Sequence, residues 1–456
     1  MKVRPSSYLN QVEIGDGTSL LFNGHSLCID LVPTDFAREL SEGGDLSFLL
    51  PEEKQHLLNR GHLTALSAAR EAGELKKLVG QVLQKRARAD KKRRIANLCF
   101  ILTYKCNLSC KYCYQKSIPD TADIPPMSAA FVDSFFSRSL PELFPWRPKR
   151  LYLTLFGGEP LLPSNRETIA RILAHASRRP SIRLSVTTNA TTLPAMADLI
   201  GEGKGKIPHV QVTLDGDRMH HNENRIPASG APTFDTVIGS VRKLIELKAK
   251  ISLRMHVHDG KLESARALVD YLEKEKILGN PQVSAYFSPI NTFDGDINAQ
   301  SDPGTFGQLF QQVSSRTSRP PSNLDYMYKF IDMQEKKILP KVRFCGAGSD
   351  GFYVVDPLAD IYSCYEEAGH KDRRVGTFSR GRVKFFPLKK QYSRRNLLSL
   401  PECIKCSMAL FCAGGCPSEA RVRKGSIFEP YCHQNKTFIA QTLKAFYLKR
   451  QANPLQ

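Results

Sequence analysis

The stretch CNLSCKYC, residues 106–113, places three cysteines in the spacing C-x3-C-x2-C directly after a strand-like apolar run. Three thiolates this close in sequence can bind three irons of a 4Fe–4S cluster, whereas a complete set requires four ligands. The fourth iron is then open to a small molecule that offers an amine and a carboxylate. The alternative is a zinc site that lacks its fourth ligand, although zinc sites usually show paired C-x2-C or Cys/His sets.

An alternation of strands and helices surrounds this stretch from about residue 97 onward. Strand–helix repetition of this kind predicts parallel strands joined by helical crossovers. Six repeats predict an α/β fold with a partial (β/α)6 barrel, in which chemistry lies at the C-terminal ends of the strands. The cysteine triplet stands at such an end. The six apolar runs cover residues 98–103, 151–156, 182–188, 210–214, 252–257 and 282–287.

Residues 1–95 show a different pattern of strand-like and helical segments, which predicts a small N-terminal module. Three strand-like runs are separated by the dipeptides DG at 16–17 and NG at 23–24, which are strong hairpin signals. Helical patterns follow, with Pro51 as a helix start and Gly61 as a helix stop. A three-stranded meander followed by helices predicts a winged-helix-like module, and an exposed edge of its sheet could bind a peptide by strand addition.

The C-terminal segment, residues 326–456, is rich in cysteine and in loop residues, and the predicted barrel occupies residues 96–325 before it. Its central motif is C-x2-C-x5-C-x3-C. In a reducing compartment, metal ligation explains such a set better than disulfides do, and a pair of zinc-ribbon sites is the alternative. The cysteines of this segment are Cys345, Cys364, Cys403, Cys406, Cys412, Cys416 and Cys432.

Composition limits the classes of protein to consider. The chain has 456 residues, 12 cysteines and a formal net charge of +20. No apolar run approaches the ~18 residues of a membrane span, and the N-terminus lacks a signal-peptide core. We therefore expect a cytoplasmic protein without a membrane partner. Much of the positive charge is diffuse, which favours a solvated basic surface or an acidic peptide partner over nucleic acid.

The cysteine triplet, with an aromatic residue before its last cysteine, resembles the signature of the radical S-adenosylmethionine (SAM) superfamily. Further motifs follow at the ends of successive strands. FGGEP at 156–160 resembles the family's glycine-rich motif, and TTNA at 187–190 resembles its TNG motif with alanine in place of glycine. VTLDG at 212–216 and HNENR at 221–225 resemble the SLDG element and the segment that follows it. Any one of these motifs is weak, but their order along the strands is specific.

The resemblance implies that Cys106, Cys110 and Cys113 hold the 4Fe–4S cluster that binds and cleaves SAM. It places Tyr112 on the adenine side, the glycine-rich motif at the amino group of SAM, and the TNG-like motif at the ribose. The residues that it assigns to SAM are Tyr112, Gly157, Gly158, Glu159, Asn189, Thr213 and Arg225.

The C-terminal cysteines resemble the SPASM domain, which holds two auxiliary 4Fe–4S clusters in enzymes that mature peptides and sulfatases. With the SAM-binding cluster, the resemblance implies three clusters in all. Two four-ligand clusters need more cysteines than this segment has, so Ser349, Asp350, solvent or a substrate thiol could complete one of them. The resemblance assigns Cys403, Cys406, Cys412 and Cys432 to one cluster, and Cys345, Cys364 and Cys416 to the other.

These resemblances predict an enzyme that abstracts a hydrogen atom from a peptide with a 5′-deoxyadenosyl radical. The first hypothesis is a maturase that forms a crosslink between side chains of a ribosomally synthesised precursor peptide. Residues 1–95 would bind the leader, and a flavodoxin or ferredoxin would donate electrons. The second is sulfatase-maturase-like oxidation of Ser or Cys to formylglycine. Tyr365 argues against it, because those maturases carry Asp directly after the cysteine that corresponds to Cys364. A zinc protein that binds nucleic acid is the non-enzyme alternative, and no catalytic base is assigned.

Overall fold

The computed structural model describes residues 3–42, 45–119, 121–257, 261–290, 340–432 and 435–452. The chain divides into two compact units. The first contains residues 1–89, 324–345 and 394–456, and the second contains residues 90–323 and 346–393. The predicted domain boundary at residues 325 and 326 lies outside the described residues.

The N-terminal part of the first unit contains a three-stranded antiparallel sheet in the order β2-β3-β4. Asp16 and Gly17 both have positive φ, 51° and 68°, at the turn between β2 and β3, which is the backbone that a two-residue hairpin requires. β1 comes before this sheet in the chain and pairs antiparallel with β5, and β5 lies between the second and the third of three helices. The elements are β1 Arg4–Pro5, β2 Leu9–Gly15, β3 Thr18–Asn23, β4 Ile29–Pro33, α1 Thr34–Ser41, α2 Pro51–Asn59, β5 Leu63–Thr64 and α3 Ala68–Arg93.

The cores of the first unit explain why its N-terminal and C-terminal segments belong together. One core joins the sheet to α1 and α2, through residues such as Leu21, Leu40 and Leu57. The other packs one face of α3 against the C-terminal segment, where Cys403 is part of the apolar cluster. The Tyr8 hydroxyl donates a 2.5 Å hydrogen bond to the carbonyl of Ile404. A separate peptide-recognition module in residues 1–95 therefore stays a prediction.

Asp30 on β4 interacts with two basic side chains. His62 Nε2 lies 2.6 Å, and Arg60 Nε 2.7 Å, from the Asp30 carboxylate. Burial raises the pKa of Asp30, but these two partners outweigh burial and lower it from 3.8 to about 2. A lowered folded-state pKa means that the stabilisation is complete above about pH 4 and is lost as the pH falls toward 2.

We expect Asp30→Asn to lower the free energy of unfolding of this unit by about 2 kcal/mol at pH 7, because a pKa shift of one unit corresponds to about 1.4 kcal/mol. The difference should shrink as the pH falls toward 2, where the wild-type carboxylate is about half protonated. Amide hydrogen exchange in β3 and β4 measures the free energy of unfolding at both pH values. Asp35→Asn is the control, because its side chain is 94% exposed and should change little. An equal loss at both pH values would contradict the ionic explanation.

The second unit is built on six parallel strands in the order β11-β10-β9-β8-β7-β6, and β12–β15 continue the same sheet beyond β6. β12 pairs parallel with β6, and the later pairs are antiparallel. The six parallel strands confirm the predicted partial barrel. The strands are β6 Ile95–Thr103, β7 Arg150–Gly157, β8 Ile182–Thr188, β9 His209–Asp215, β10 Lys250–Val257, β11 Val283–Pro289, β12 Phe352–Val355, β13 Asp360–Tyr362, β14 Gly376–Ser379 and β15 Arg382–Phe385.

Side chains alternate between the two faces of these strands, as the period of two requires. Apolar residues such as Leu153 and Val212 are fully buried on one face. The other face is polar, and hydroxyls meet there across strands, as at Thr154 and Ser185, 3.0 Å apart. The helices of this unit are α4 Ala129–Ser134, α5 Leu140–Leu143, α6 Arg166–Ser177, α7 Arg218–Asn224, α8 Phe234–Glu246, α9 Leu262–Lys274 and α10 Pro387–Arg394.

The C-terminal part of the first unit consists of short helices and the loops that carry the cysteines. The last helix lies against β2, at one edge of the N-terminal sheet. Across the described residues, no helix is both long and apolar enough to cross a membrane. The helices are α11 Pro401–Ile404, α12 Ala409–Cys412, α13 Pro417–Lys424 and α14 Asn435–Ala452.

Candidate active site

The cysteine triplet lies in the loop that follows β6. Two backbone hydrogen bonds attach this loop to the segment after α7: Ser109 N donates to the Ile226 carbonyl (2.6 Å), and Lys111 N to the Asn224 carbonyl (3.1 Å). Cys106 is exposed as a whole residue, yet burial of its thiol, together with the nearby thiols of Cys110 and Cys113, raises its pKa to about 12. The three predicted ligands are therefore neighbours in space.

The donor set fits an iron–sulfur cluster. All 12 cysteines are free thiols, so none of the predicted ligands is consumed by a disulfide. Thiols of raised pKa become thiolates when they bind a metal, and such binding releases protons. Among the described residues, no three Cys, His, Asp or Glu side chains already stand in ligand geometry for a metal ion.

The glycine-rich turn after β7 packs directly on the backbone that leads to the triplet. A Cβ atom on Gly157 would stand 2.3 Å from the Thr103 carbonyl oxygen, and one on Gly158 would stand 2.2 Å from that of Lys105. Gly158 N donates to the Thr103 carbonyl at 2.8 Å. These two predicted SAM contacts therefore have a structural role as well, because only glycine allows this approach.

Glu159 is fully buried, and its carboxylate joins the ends of β7 and β8. It accepts hydrogen bonds from the Thr188 hydroxyl (2.7 Å), Asn189 N (2.7 Å) and Leu161 N (2.8 Å). Burial raises its pKa, and these hydrogen bonds oppose the rise. Glu159 is a predicted SAM contact through the backbone of its motif, and its carboxylate is engaged with the protein itself, where it fixes two loops of the site.

Asn189 and Ala190 form the turn after β8. The Asn189 side chain donates to Asn107 Oδ1 at 2.9 Å and lies 3.8 Å from the Cys106 sulfur, so this loop contacts the cysteine loop directly. Ala190 has φ 63°, the left-handed conformation that favours glycine. This conformation explains why the related motif has glycine at the third position, and why alanine here carries some strain.

Tyr112 joins a buried polar network at the ends of β9 and β10. Its hydroxyl donates to Asp215 Oδ2 at 2.6 Å and accepts from Arg225 Nη1 at 2.8 Å. His256 Nδ1 lies 3.0 Å from the Tyr112 oxygen and 3.3 Å from Asp215 Oδ1. Because the single hydroxyl proton goes to Asp215, His256 Nδ1 must be the donor. The structure thus brings two predicted residues, Tyr112 and Arg225, together.

Two members of this network were not among the predicted site residues. Asp215 belongs to the VTLDG motif, so the signal was present at the end of the fourth strand. His256 stands on β10, and no motif marks it. Burial, together with the charge of Arg254, lowers the pKa of His256 to about 4, so its imidazole is neutral near pH 7. Thr213, a predicted SAM contact, lies on β9 two residues before Asp215 and is buried.

In the first unit, four of the predicted cluster ligands come together. Burial, together with the nearby thiols of Cys412, Cys432 and Cys406, raises the pKa of Cys403 to about 12. Cys345 and Cys416 belong to the same unit, whereas Cys364 follows β13 in the second unit.

The two proposed substitutes for a cysteine ligand already have partners within the second unit. Asp350 accepts a 2.7 Å bond from Lys389 Nζ, and the Ser349 hydroxyl accepts a 3.0 Å bond from Gly351 N. Tyr365, the residue after Cys364, packs its ring 5.3 Å from that of Phe156 at the end of β7. The side chain at this position is therefore close to the strand ends of the barrel.

Comparison with known proteins identifies a known domain in the second unit. The model of the radical SAM superfamily matches residues 100–272. A cysteine-type anaerobic sulfatase-maturating enzyme of Clostridium perfringens (strain 13 / Type A) is 23% identical over 350 residues, which cover 73% of this chain and 92% of that protein.

Two solved structures share the fold. Native anSMEcpe with bound AdoMet has a TM-score of 0.60 and 17% identity, and the match covers 79% of this chain and all of that one (100%). Streptococcus suis SuiB bound to precursor peptide SuiA has a TM-score of 0.52 and 15% identity, with 95% and 99% of the two chains covered. Together with the cysteine triplet at the end of β6 and the ordered motifs on the following strands, the family match shows that residues 100–272 form a radical SAM domain and that the chain is an enzyme.

Proposed function

We propose that this enzyme modifies a ribosomally synthesised precursor peptide and forms a crosslink between side chains of that peptide. The observation that carries the proposal is the N-terminal sheet, which adds a possible peptide-binding edge to a radical SAM barrel. The match to SuiB extends over this part of the chain, and that protein was solved with its precursor peptide. When bound, SAM and the 4Fe–4S cluster supply a 5′-deoxyadenosyl radical that can abstract an unactivated hydrogen atom.

The residues of the second unit have distinct proposed roles toward SAM. Cys106, Cys110 and Cys113 hold the cluster. The buried pair of Asp215 and Arg225 orients Tyr112 beside it, and the hydrogen bonds of this network keep the tyrosine ring in one position. The proposed contacts of SAM are Tyr112, Gly157, Gly158, Glu159, Asn189, Thr213 and Arg225. The Glu159 contact would come from its backbone, because its carboxylate is occupied by other donors.

The C-terminal cysteines would hold two auxiliary 4Fe–4S clusters, for a total of three. Cys403, Cys406, Cys412 and Cys432 form a complete set of four thiols that influence one another. Cys345, Cys364 and Cys416 would hold the other cluster, whose remaining iron needs a different ligand. An auxiliary cluster can accept the electron that a substrate radical loses when a new bond forms. A flavodoxin or ferredoxin is the proposed electron donor.

β4 is the proposed docking strand for a leader peptide. In the described part of the sheet, β4 pairs with β3 on one side, whereas α14 lies against β2 at the opposite edge. An unpaired strand edge presents backbone donors and acceptors to which an extended peptide can add. Leu31 on β4 is 44% exposed and offers an apolar contact to such a peptide.

Oxidation of Ser or Cys to formylglycine is the second candidate function. The Clostridium perfringens sulfatase-maturating enzyme matches over 92% of its own length, and this supports the candidate directly. The side chain after Cys364 is a tyrosine, however, and a phenol is a weak base compared with a carboxylate. The N-terminal sheet also has no assigned purpose in this reaction.

One experiment separates the two functions. The anaerobically reconstituted enzyme is incubated with SAM, a reductant and either the peptide encoded beside its gene or a sulfatase peptide, and the products are analysed by mass spectrometry. We expect SAM cleavage coupled to loss of two hydrogen atoms from the first peptide, with a fragmentation pattern that shows a crosslink. Formylglycine in the sulfatase peptide, with no change in the other, would replace the first function with the second.

A further inference from the structure

Arg395, directly after α10, is a buried cation that binds the loops of the C-terminal cysteines. The residue is only 5% exposed. The guanidinium donates to the carbonyls of Gly414 and Gly415, each at 3.0 Å, and to those of Ile427 and Glu429. The two glycines lie between Cys412 and Cys416, and the other two acceptors lie in the segment that leads to Cys432. One side chain thus connects both loops.

The charge of Arg395 has no carboxylate partner within ion-pair distance in the described part of the chain. Backbone carbonyls satisfy its N–H groups but carry no net charge, and a buried charge without an opposite charge is costly. The nearby groups that can become anionic are thiols: Cys416, Cys345, Cys403 and Cys412 all act electrostatically on Arg395. Burial, the largest influence, lowers the pKa of Arg395, which reflects this desolvation.

Arg395 is close to cysteines of both proposed auxiliary clusters. Cys403 and Cys412 belong to one proposed ligand set, and Cys345 and Cys416 belong to the other. Thiolate-ligated clusters carry net negative charge, and nearby charge and hydrogen bonds set their reduction potentials. A fixed positive charge favours the reduced form, because reduction adds one negative charge.

We propose that Arg395 is the internal counter-ion of the auxiliary iron–sulfur clusters, a positioning residue that holds the cysteine loops and raises the reduction potentials of the clusters. This inference rests on the proposed function only in assuming that the C-terminal cysteines hold auxiliary clusters. It gives the enzyme a means to make these clusters better electron acceptors than the cluster of the Cys106 triplet, which lies in the second unit.

Two substitutions separate the charge of Arg395 from its hydrogen bonds. Arg395→Lys keeps the charge and loses the planar fork, whereas Arg395→Gln keeps a donor and loses the charge. Arg394→Gln is the matched control, because Arg394 is the exposed neighbour. Each full-length protein is reconstituted anaerobically, its iron and sulfide are counted, and its clusters are titrated with a low-potential reductant under electron paramagnetic resonance.

We expect the auxiliary signals of Arg395→Gln to shift to lower potential, while those of Arg395→Lys and Arg394→Gln stay near wild type. The signal of the SAM-binding cluster, identified by its response to added SAM, should not move in any variant. Unchanged auxiliary potentials in Arg395→Gln with full iron content would overturn the counter-ion role.

Loss of iron is also decisive. If Arg395→Gln cannot hold the auxiliary clusters but Arg395→Lys can, the charge is required and the proposal stands. If both variants lose iron equally, Arg395 is only a structural clamp and the proposal fails. The wild-type protein alone tests the underlying assumption. A measured content of only about four irons per chain would show that the auxiliary clusters are absent, whatever the variants do.

Discussion

Replacing Cys106, Cys110 and Cys113 together with alanine should abolish reductive cleavage of SAM and remove about four irons per chain of the roughly twelve expected for three clusters. The three thiols are neighbours in one loop, and no fourth cysteine accompanies them in the sequence. Without them the open iron has no support, so neither SAM chelation nor electron delivery can occur. Iron analysis and the formation of 5′-deoxyadenosine measure the two effects.

Cys28→Ala is the control for this experiment. Cys28 lies in the N-terminal part of the chain and belongs to none of the proposed ligand sets, so its removal should leave both iron content and SAM cleavage unchanged. If the triple variant still cleaved SAM at the wild-type rate, the radical cluster would have to be held elsewhere, and the assignment of the triplet would be wrong.

Asp215→Ala should cost about 3–5 kcal/mol of stability, the largest effect that we expect from one side chain in the second unit. Asp215 is fully buried and lies 3.6 Å from Arg225, which is itself buried. Removal of the carboxylate leaves the guanidinium with an uncompensated charge and takes the acceptor from the Tyr112 hydroxyl. Denaturant unfolding followed by fluorescence of Trp146, the single tryptophan of the chain and part of the same unit, measures the loss.

Two further variants test the cause of this loss. Tyr112→Phe removes the hydroxyl and its three hydrogen bonds but leaves the ion pair, so we expect a smaller cost of about 1–3 kcal/mol. The double variant Asp215→Leu with Arg225→Met removes both charges and should recover much of the stability lost in Asp215→Ala. If the double variant were as unstable as the single one, shape rather than charge would be the dominant cause.

The sequence predicted the barrel well because its signals are local. The run at 182–188 coincides with β8, and the run at 210–214 falls within β9. The strands β12–β15 were not predicted, because they have only three or four residues each and their place depends on pairing with distant segments. Phe352 pairs with Asn97, for example, and no local sequence pattern indicates such a distant pairing.

The candidate site was predicted residue by residue but not as a network. The ligands and motif residues stand at strand ends, where parallel topology brings them together. The contact of Tyr112 with His256 joins residues 144 positions apart, and it needs the register of β9 and β10. In the same way, the role of Glu159 in fixing two loops depends on donors that only the folded chain supplies.

Gly24 shows how the same residue can satisfy two requirements. The dipeptide at 23–24 predicted a hairpin turn, and Gly24 does lie in the turn between β3 and β4. A Cβ atom there would also stand 1.6 Å from the carbonyl oxygen of Ser407, between Cys406 and Cys412. The sequence signal identified the turn, whereas the second requirement comes from a segment almost 400 residues away.

This contact has a consequence for engineering. Enzymes that act on peptides are attractive for redesign by transplanting a recognition segment from one protein to another. Here the backbone at Gly24 and the Ser407 carbonyl meet with no room for a side chain, and the Asn10 side chain donates to the same carbonyl at 3.2 Å. A transplanted segment would therefore need a glycine and a matching amide at these positions, or the cysteine loop itself would have to be exchanged along with it.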